Sequence, residues 1–115
     1  MDKPDEWDKW RVKKPFVGLE YDLIDSQIWK ALSNAAVRLY IEIIHKWNKE
    51  NNCPYYLPFG YSDIKYAMSK PTYLSAMKEL LKSGLVIQVD KPGKNHKGSY
   101  ALNRIWDMEL GVFYT

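Results

Sequence analysis

The sequence predicts an α+β fold that is mainly helical, with a small antiparallel β-sheet toward its C-terminal side. Three observations predict this class. Apolar residues recur at three- and four-residue spacings in two stretches, which is the periodicity of amphipathic helices. A later run, LVIQV, alternates enough to be a strand, and a turn-rich loop joins it to a second extended run, SYALNRI. Helix start and stop residues flank the helical stretches.

Length and composition indicate one folded domain. The chain has 115 residues, of which 46% are hydrophobic and 15% aromatic, and this excludes a disordered chain. We expect an N-terminal extension at 1–14, the domain at 15–106 and a C-terminal tail at 107–115. Apolar stretches fall far short of the roughly 18 residues of a membrane helix, and the charged N-terminus lacks a signal-peptide pattern. We therefore expect a cytoplasmic protein with no membrane partner.

The first half of the domain should be helical after an extended lead-in. Residues 16–23 are β-prone, and Asp25 is a plausible N-cap for a short helix reaching residue 32. Ser33 and Asn34 then start the longest helix. Its apolar stripe consists of Ala36, Leu39, Tyr40, Ile43, Ile44 and Trp47. Residues 55–59 should form a short edge strand, because Pro58 cannot donate a hydrogen bond to a sheet.

Two helix signals follow each other closely. Ser62 is the expected cap of a short helix with Ile64, Ala67 and Met68 facing inward. Ser69 and Pro71 then start a second helix, and Gly84 supplies its left-handed end. The inward face of the second helix should hold Tyr73, Ala76, Met77 and Leu80. A helix, a tight turn, a helix and a β-hairpin are the elements of a winged helix-turn-helix, in that order.

Positive charge is concentrated in this second half. Residues 65–104 contain eight Lys and Arg (65, 70, 78, 82, 91, 94, 97 and 104) and two acids, Glu79 and Asp90, a balance of +6. Because the whole chain carries +3, the remainder carries −3. This asymmetry is typical of a surface that binds a polyanion.

The strings LPFGYSDIKYAMSKPTYLSAMKELLKSGLV and FVGLEYDLIDSQIWKALSNAAVRLYIEI carry a resemblance to known proteins. Together they resemble small winged helix-turn-helix DNA-binding proteins of phages, plasmids and other mobile elements, including DNA-binding domains of replication-initiation and regulatory proteins. The likeness spans roughly residues 15 to 106. Its specific parts are residues 69–72, at the start of the recognition helix, and 78–86, at the exit into the wing. It implies a transcriptional regulator or a replication accessory factor that binds double-stranded DNA.

The expected DNA-binding residues lie on the second helix and the wing. Short polar side chains near a helix N-terminus can approach base edges, and lysines can contact phosphates. The residues concerned are Ser69, Lys70, Thr72, Leu74, Ser75 and Lys78 on the helix, and Lys91, Lys94, Asn95, His96 and Lys97 in the wing. Leu74 could touch a thymine methyl group, or it could belong to the core if the helical face is misplaced by one position.

Other functions remain open as alternatives. A winged helix can instead serve as a protein-protein interaction module in which Leu74 and the aromatic tail form an apolar interface. Single-stranded DNA or RNA is also not excluded by the sequence. A homodimer is possible. Its candidate surfaces are Trp7 with Trp10, the long helix with Trp47, and the tail with Trp106, Phe113 and Tyr114.

Catalysis is not expected. The chain has no glycine-rich phosphate loop, no serine-triad spacing and no carboxylate constellation, so we expect neither an enzyme nor a small-molecule substrate. His45 stands without a ligand partner three or four residues away, and Cys53 is the single cysteine. We therefore expect no metal and no cofactor.

Overall fold

The computed structural model describes residues 16–50 and 56–103. Its elements follow one another as α1 (Tyr21–Asp25), α2 (Gln27–Lys30), α3 (Asn34–Glu50), β1 (Leu57–Phe59), a 3-10 turn (Tyr61–Asp63), α4 (Lys70–Ser83), β2 (Val86–Asp90) and β3 (Gly98–Leu102). Helices and a small antiparallel sheet make up an α+β, winged-helix-like fold, which confirms the predicted class. The predicted domain limits at 15 and 106 lie outside the described residues and stay predictions.

In the described residues, two short helices precede the long one, and here the sequence-based prediction was partly wrong. Residues 21–25 are helical rather than extended. Ser26, not Asp25, caps the next helix: its Oγ accepts a hydrogen bond from the Trp29 N–H at 3.2 Å and donates one to the Leu23 carbonyl at 2.7 Å. A serine placed between two short helices thus satisfies backbone groups of both.

The long helix α3 begins where the sequence predicts. The Oγ of Ser33 accepts a hydrogen bond from the Ala36 N–H at 3.2 Å, as an N-cap does. Four residues of the predicted stripe are buried, namely Ala36, Leu39, Tyr40 and Ile43, and two pack against the core while partly exposed, namely Ile44 and Trp47. One edge of the stripe is closed by the Trp29 ring, which meets Tyr40 edge-on at 5.5 Å between centroids.

The predicted short helix at Ser62 is a 3-10 turn followed by hydrogen-bonded turns. The turn starts at Tyr61, with Gly60 in the cap position, and it is held by the Asp63 carboxylate, which accepts a hydrogen bond from the Gly60 N–H at 2.9 Å. Ser62 is therefore not the cap. The inward-facing residues of this segment were predicted correctly: Ile64 is fully buried, and Ala67 and Met68 pack against the core.

The second helix of the motif, α4, has the predicted limits. Ser69 caps its start, and Gly84 ends it in the left-handed conformation with φ of 86°. Glycine suits that position because a side chain there would strain the backbone. The predicted inward face is buried: Tyr73, Ala76, Met77 and Leu80.

The sheet has three antiparallel strands in the order β1-β3-β2. The strand at 57–59 lies at an edge, as Pro58 requires, and pairs with β3, for example Leu57 with Tyr100. The β2–β3 hairpin contains a register shift between Gln88 and Asp90, which is a β-bulge. Bulges increase local twist, so this one affects the direction of the hairpin end.

A single hydrophobic core joins α3, α4 and the sheet. Its fully buried side chains include Leu39, Ile43, Phe59, Ile64, Leu80, Leu85 and Val86. Among the described residues, no helix is both long and apolar enough to span a bilayer. The core fixes α4 against the sheet, and this leaves the outer face of α4 beside the β2–β3 hairpin.

Candidate nucleic-acid interface

The outward face of α4 carries the residues predicted to contact DNA. Ser69, Lys70, Thr72, Leu74, Ser75 and Lys78 are all exposed. Leu74 is 55% exposed, whereas Tyr73 and Met77 are each 5% exposed. The helical face was therefore placed correctly, and Leu74 does not belong to the core.

Two of these residues are bonded to each other at the start of the helix. The Ser69 Oγ donates to the Thr72 Oγ1 at 3.0 Å and accepts from the Thr72 N–H at 3.4 Å. Both side chains are thus engaged in capping. Lys70, Leu74, Ser75 and Lys78 are left as the side chains of α4 that project without such a constraint.

The wing is the loop 91–97 between β2 and β3, and it is closed by a small turn. Gly93 and His96 form a β-bridge in which the Gly93 N–H donates to the His96 carbonyl at 3.0 Å. The His96 Nε2 lies 3.2 Å from the Lys91 carbonyl. The imidazole ring covers Gly93 so closely that an added Cβ would overlap it. His96 therefore helps to shape the wing.

A groove of about 1010 Å³ separates α4 from the wing. Among the predicted residues it brings together Lys70, Leu74 and Lys78 on the helix wall with Asn95, His96 and Lys97 on the wing wall. The floor is made largely of core side chains: Phe59, Tyr73, Met77 and Tyr100. Ser69, Thr72, Ser75, Lys91 and Lys94 do not line the groove and lie on the exposed surface around it.

Sequence reasoning missed several residues of this groove. Lys82 extends the helix wall, and Gln88, Tyr61 and Ser62 also line it. Lys82 could have been found from its spacing, since positions 70, 74, 78 and 82 recur every four residues and share one side of a helix. At a rise of about 1.5 Å per residue, Lys70 and Lys82 are about 18 Å apart along α4. Gln88 reaches the groove because of the way the three strands pair, and no local sequence pattern indicates that pairing.

The charged side chains in the described lining of the groove are all positive. Lys70, Lys78, Lys82 and Lys97 line it, and its described lining includes no Asp or Glu. Among the described residues, no carboxylate lies within 4.0 Å of the ammonium groups of Lys70, Lys78 and Lys82. Within the described part of the chain, no paired acid cancels the positive field of these three lysines, which favours an anionic ligand.

Lys97 is the exception among the groove lysines. Its Nζ lies 3.0 Å from the Asp63 carboxylate, and the Nζ of Lys46 lies 3.1 Å from the same group. Partial burial by itself would raise the pKa of Asp63, but hydrogen bonds from the Gly60 N–H, Lys97 and Lys46 outweigh it and hold that pKa below its usual value. Asp63 is thus an ionised carboxylate at the base of the wing.

A second contact fixes α4 against α3. The Glu79 carboxylate accepts hydrogen bonds from the Ser33 N–H at 2.8 Å and from the Ser33 Oγ at 2.6 Å. Glu79 thereby places a negative charge at the start of α3, where the helix dipole favours it. One of the two acids in the basic segment is therefore turned away from the groove and toward the neighbouring helix.

Metal binding has no candidate site in the described part of the chain. No group of three His, Cys, Asp or Glu side chains within it could hold a metal ion. His45 is on the surface, with its Nδ1 3.7 Å from Glu42. Cys53, Arg104 and the candidate dimer residues Trp7, Trp10, Trp106, Phe113 and Tyr114 lie outside the described residues.

Comparison with known proteins gives similarity at the level of the fold. No protein family model and no curated protein sequence matches the chain. One similar solved structure is a Rep-DNA complex: it has a TM-score of 0.61 and 18% sequence identity, over 100% of this chain and 99% of that one. Another is the N-terminal domain of a DNA binding protein, with a TM-score of 0.60 and 18% identity, over 99% and 98% of the two chains. The chain therefore shares the fold of these two structures.

Proposed function

We propose that this chain binds double-stranded DNA with α4 as its recognition helix and the loop 91–97 as its wing. The observation that carries the proposal is the groove between them, which three lysines without a described acidic partner line from one side. Both structures of the same fold are described as DNA-binding, one of them as a complex with DNA. A helix of this exposure can enter the major groove while the wing lies along the neighbouring backbone.

The residues divide into two roles under this proposal. Lys70, Leu74 and Ser75, in the first half of α4, face base edges, where Leu74 can contact a thymine methyl group. Lys78, Lys91 and Lys94 neutralise phosphates and set affinity more than sequence preference. Ser69 and Thr72 form the cap, whose free N–H groups favour a phosphate at the helix start.

The proposed biological setting is supported by the resemblance and the fold. We propose a transcriptional regulator or replication accessory factor of a phage or other mobile element, acting in the cytoplasm without catalysis or a cofactor. The similarity to a Rep-DNA complex supports the replication role. One winged helix covers a short site, so a homodimer on a two-fold symmetric site would raise its affinity.

The test is fluorescence-anisotropy binding to a random-sequence duplex over a range of salt concentrations. Lys70→Ala/Lys78→Ala should weaken binding by about tenfold or more and reduce the slope of log affinity against log salt by about 1, since Lys78 contacts a phosphate and each phosphate contact contributes about 0.9. The matched control is Lys30→Ala/Lys49→Ala, which removes the same charge from exposed positions outside the groove. The control should stay within about twofold of wild type, because neither lysine lines the proposed interface.

Equal losses in the two variants would show that only net charge matters and would contradict the proposed surface. Absence of wild-type binding at low salt would contradict DNA binding altogether. It would favour the second candidate function, a protein-protein interaction module. The observation that favours that alternative is Leu74, which is 55% exposed beside the apolar floor of the groove.

A further inference from the structure

A carboxylate at the base of the wing connects three segments that are distant in sequence. Asp63 closes the 3-10 turn, Lys46 comes from α3, and Lys97 immediately precedes β3. The two lysine Nζ atoms lie 3.1 and 3.0 Å from the Asp63 carboxylate. The side chains of Asp63 and Lys46 are partly buried, at 19% and 21% exposed, whereas that of Lys97 is 41% exposed.

The stem of Lys97 is held as well as its charge. Its aliphatic carbons cross Gly60 so closely that a Cβ at Gly60 would lie 3.3 Å from the Lys97 Cγ. The Gly60 N–H in turn donates to Asp63 at 2.9 Å. The backbone of the turn, the carboxylate and the lysine therefore fix one another, and the ammonium of Lys97 points to the turn.

Lys97 differs in this respect from the other lysines of the wing. The other lysine of the cluster, Lys46 on α3, has further partners: its Nζ donates a hydrogen bond to the Pro58 carbonyl at 2.8 Å and lies 4.0 Å from the Glu50 carboxylate. Among the described carboxylates, only that of Asp63 lies within 4.0 Å of the Lys97 Nζ. No described carboxylate lies within that distance of Lys91 or Lys94. Among the described residues, two lysines of the wing thus have no acidic partner, and the third shares the Asp63 carboxylate with Lys46.

We propose that Asp63 is a positioning residue that withholds Lys97 from DNA phosphates and fixes the base of the wing, an inference that rests on the proposed DNA binding. Withholding one cation limits the affinity for DNA of any sequence, because phosphate contacts carry no sequence information. The wing then contacts DNA with the lysines of its loop while its base stays attached to the turn. Asp63 thereby lowers the affinity of the protein for DNA of every sequence.

The substitution Asp63→Asn removes the charge while it keeps the shape. An asparagine oxygen in the place of Oδ2 can still accept the Gly60 N–H, but the neutral amide no longer attracts the two ammonium groups by charge. The hold of residue 63 on Lys97 is therefore weakened. We expect Asp63→Asn to steepen the salt slope of binding to a random duplex by up to about 0.9, the contribution of one phosphate contact, and to raise low-salt affinity several-fold.

Two comparisons separate release of Lys97 from a mere change of net charge. Glu50→Gln changes the net charge equally and lies beside Lys46, yet it leaves the Asp63–Lys97 pair intact, so its slope should equal that of wild type. Lys97→Ala added to Asp63→Asn should abolish the gain, which makes the two substitutions non-additive.

Lys97→Ala in otherwise wild-type protein tests the proposal even if Asp63→Asn does not fold. We expect its affinity to stay within about twofold of wild type, whereas Lys94→Ala weakens binding more. An equal loss for the two lysines, an unchanged slope in Asp63→Asn, or the same gain in Glu50→Gln would each overturn the proposal. Wild-type protein that binds no DNA would overturn the proposed function and this inference with it, so the two failures are distinguishable.

Discussion

At the scale of single residues, the clearest electrostatic feature is the Asp63 carboxylate with its three donors. Two of them are charged, and all three stabilise the ionised form more than partial burial opposes it, so the pKa of Asp63 is lowered. A group whose pKa is lower in the folded state than in the unfolded state stabilises the fold only while it is ionised. This gives a pH dependence with a definite sign.

We predict that Asp63 contributes to stability above the unfolded-state pKa of about 3.9 and that this contribution is lost as the pH falls through the lower folded-state pKa. In that interval the unfolded chain binds the proton more readily than the folded chain. Urea unfolding at pH 6 and pH 3 should therefore show a larger loss of free energy of unfolding in wild type than in Asp63→Asn.

A second acid must be kept in both proteins for this comparison. Burial alone would raise the pKa of Glu42, but hydrogen bonds from Tyr66 and Arg38 outweigh it and lower that pKa as well. Because Glu42 is unchanged by Asp63→Asn, its contribution cancels. Identical losses in wild type and variant would show that Asp63 is not stabilised by its lysines in solution.

Local signals at single residues could be predicted from the sequence, and distant partners could not. Ser69 and Gly84 act on the backbone of their own turn, so the two ends of α4 were predicted correctly. Asp63 and Lys97 are 34 residues apart, and Ser33 and Glu79 are 46 apart. No periodicity indicates such pairs, so the engagement of Lys97 was missed.

At the scale of elements, the hydrogen-bonded contact between α3 and α4 helps to set the position of the proposed recognition helix. Glu79 lies on α4 and caps α3 through two hydrogen bonds to Ser33. The sequence indicated Ser33 as the cap but gave no reason to assign Glu79 a structural role. The predicted helix capped by Ser62 was wrong for a related reason: the Asp63 side chain, rather than a serine cap, holds the turn.

We predict that Glu79→Gln lowers the free energy of unfolding by about 0.5 to 1 kcal/mol, because it removes a negative charge from a helix N-terminus and weakens two charge-assisted hydrogen bonds. Urea unfolding measures the effect. The control Glu50→Gln, at the C-terminal end of α3, should change stability by less than 0.5 kcal/mol or raise it slightly, about what the helix dipole allows. A loss as large in the control would contradict the capping role.

At the scale of the whole molecule, fold and charge point to the same surface. The inward residues of α4 pack into the core. The residues that recur every four positions on its outer side therefore lie beside the wing, namely Lys70, Leu74, Lys78 and Lys82. The fold class could be predicted because hydrophobic periodicity and cap residues agree in the two main helices, α3 and α4. The groove itself could be predicted only in part, because its wing wall depends on strand order and on a β-bulge that no local signal indicates.

The most direct test of the account is a ¹H–¹⁵N NMR titration of the protein with a short duplex. We predict that the amide shifts perturbed by DNA cluster at 69–78 on α4 and at 91–97 in the wing, and that those of α1 and α2 move little. Perturbations centred on α1, α2 or the exposed side of α3, with α4 and the wing unaffected, would contradict the account.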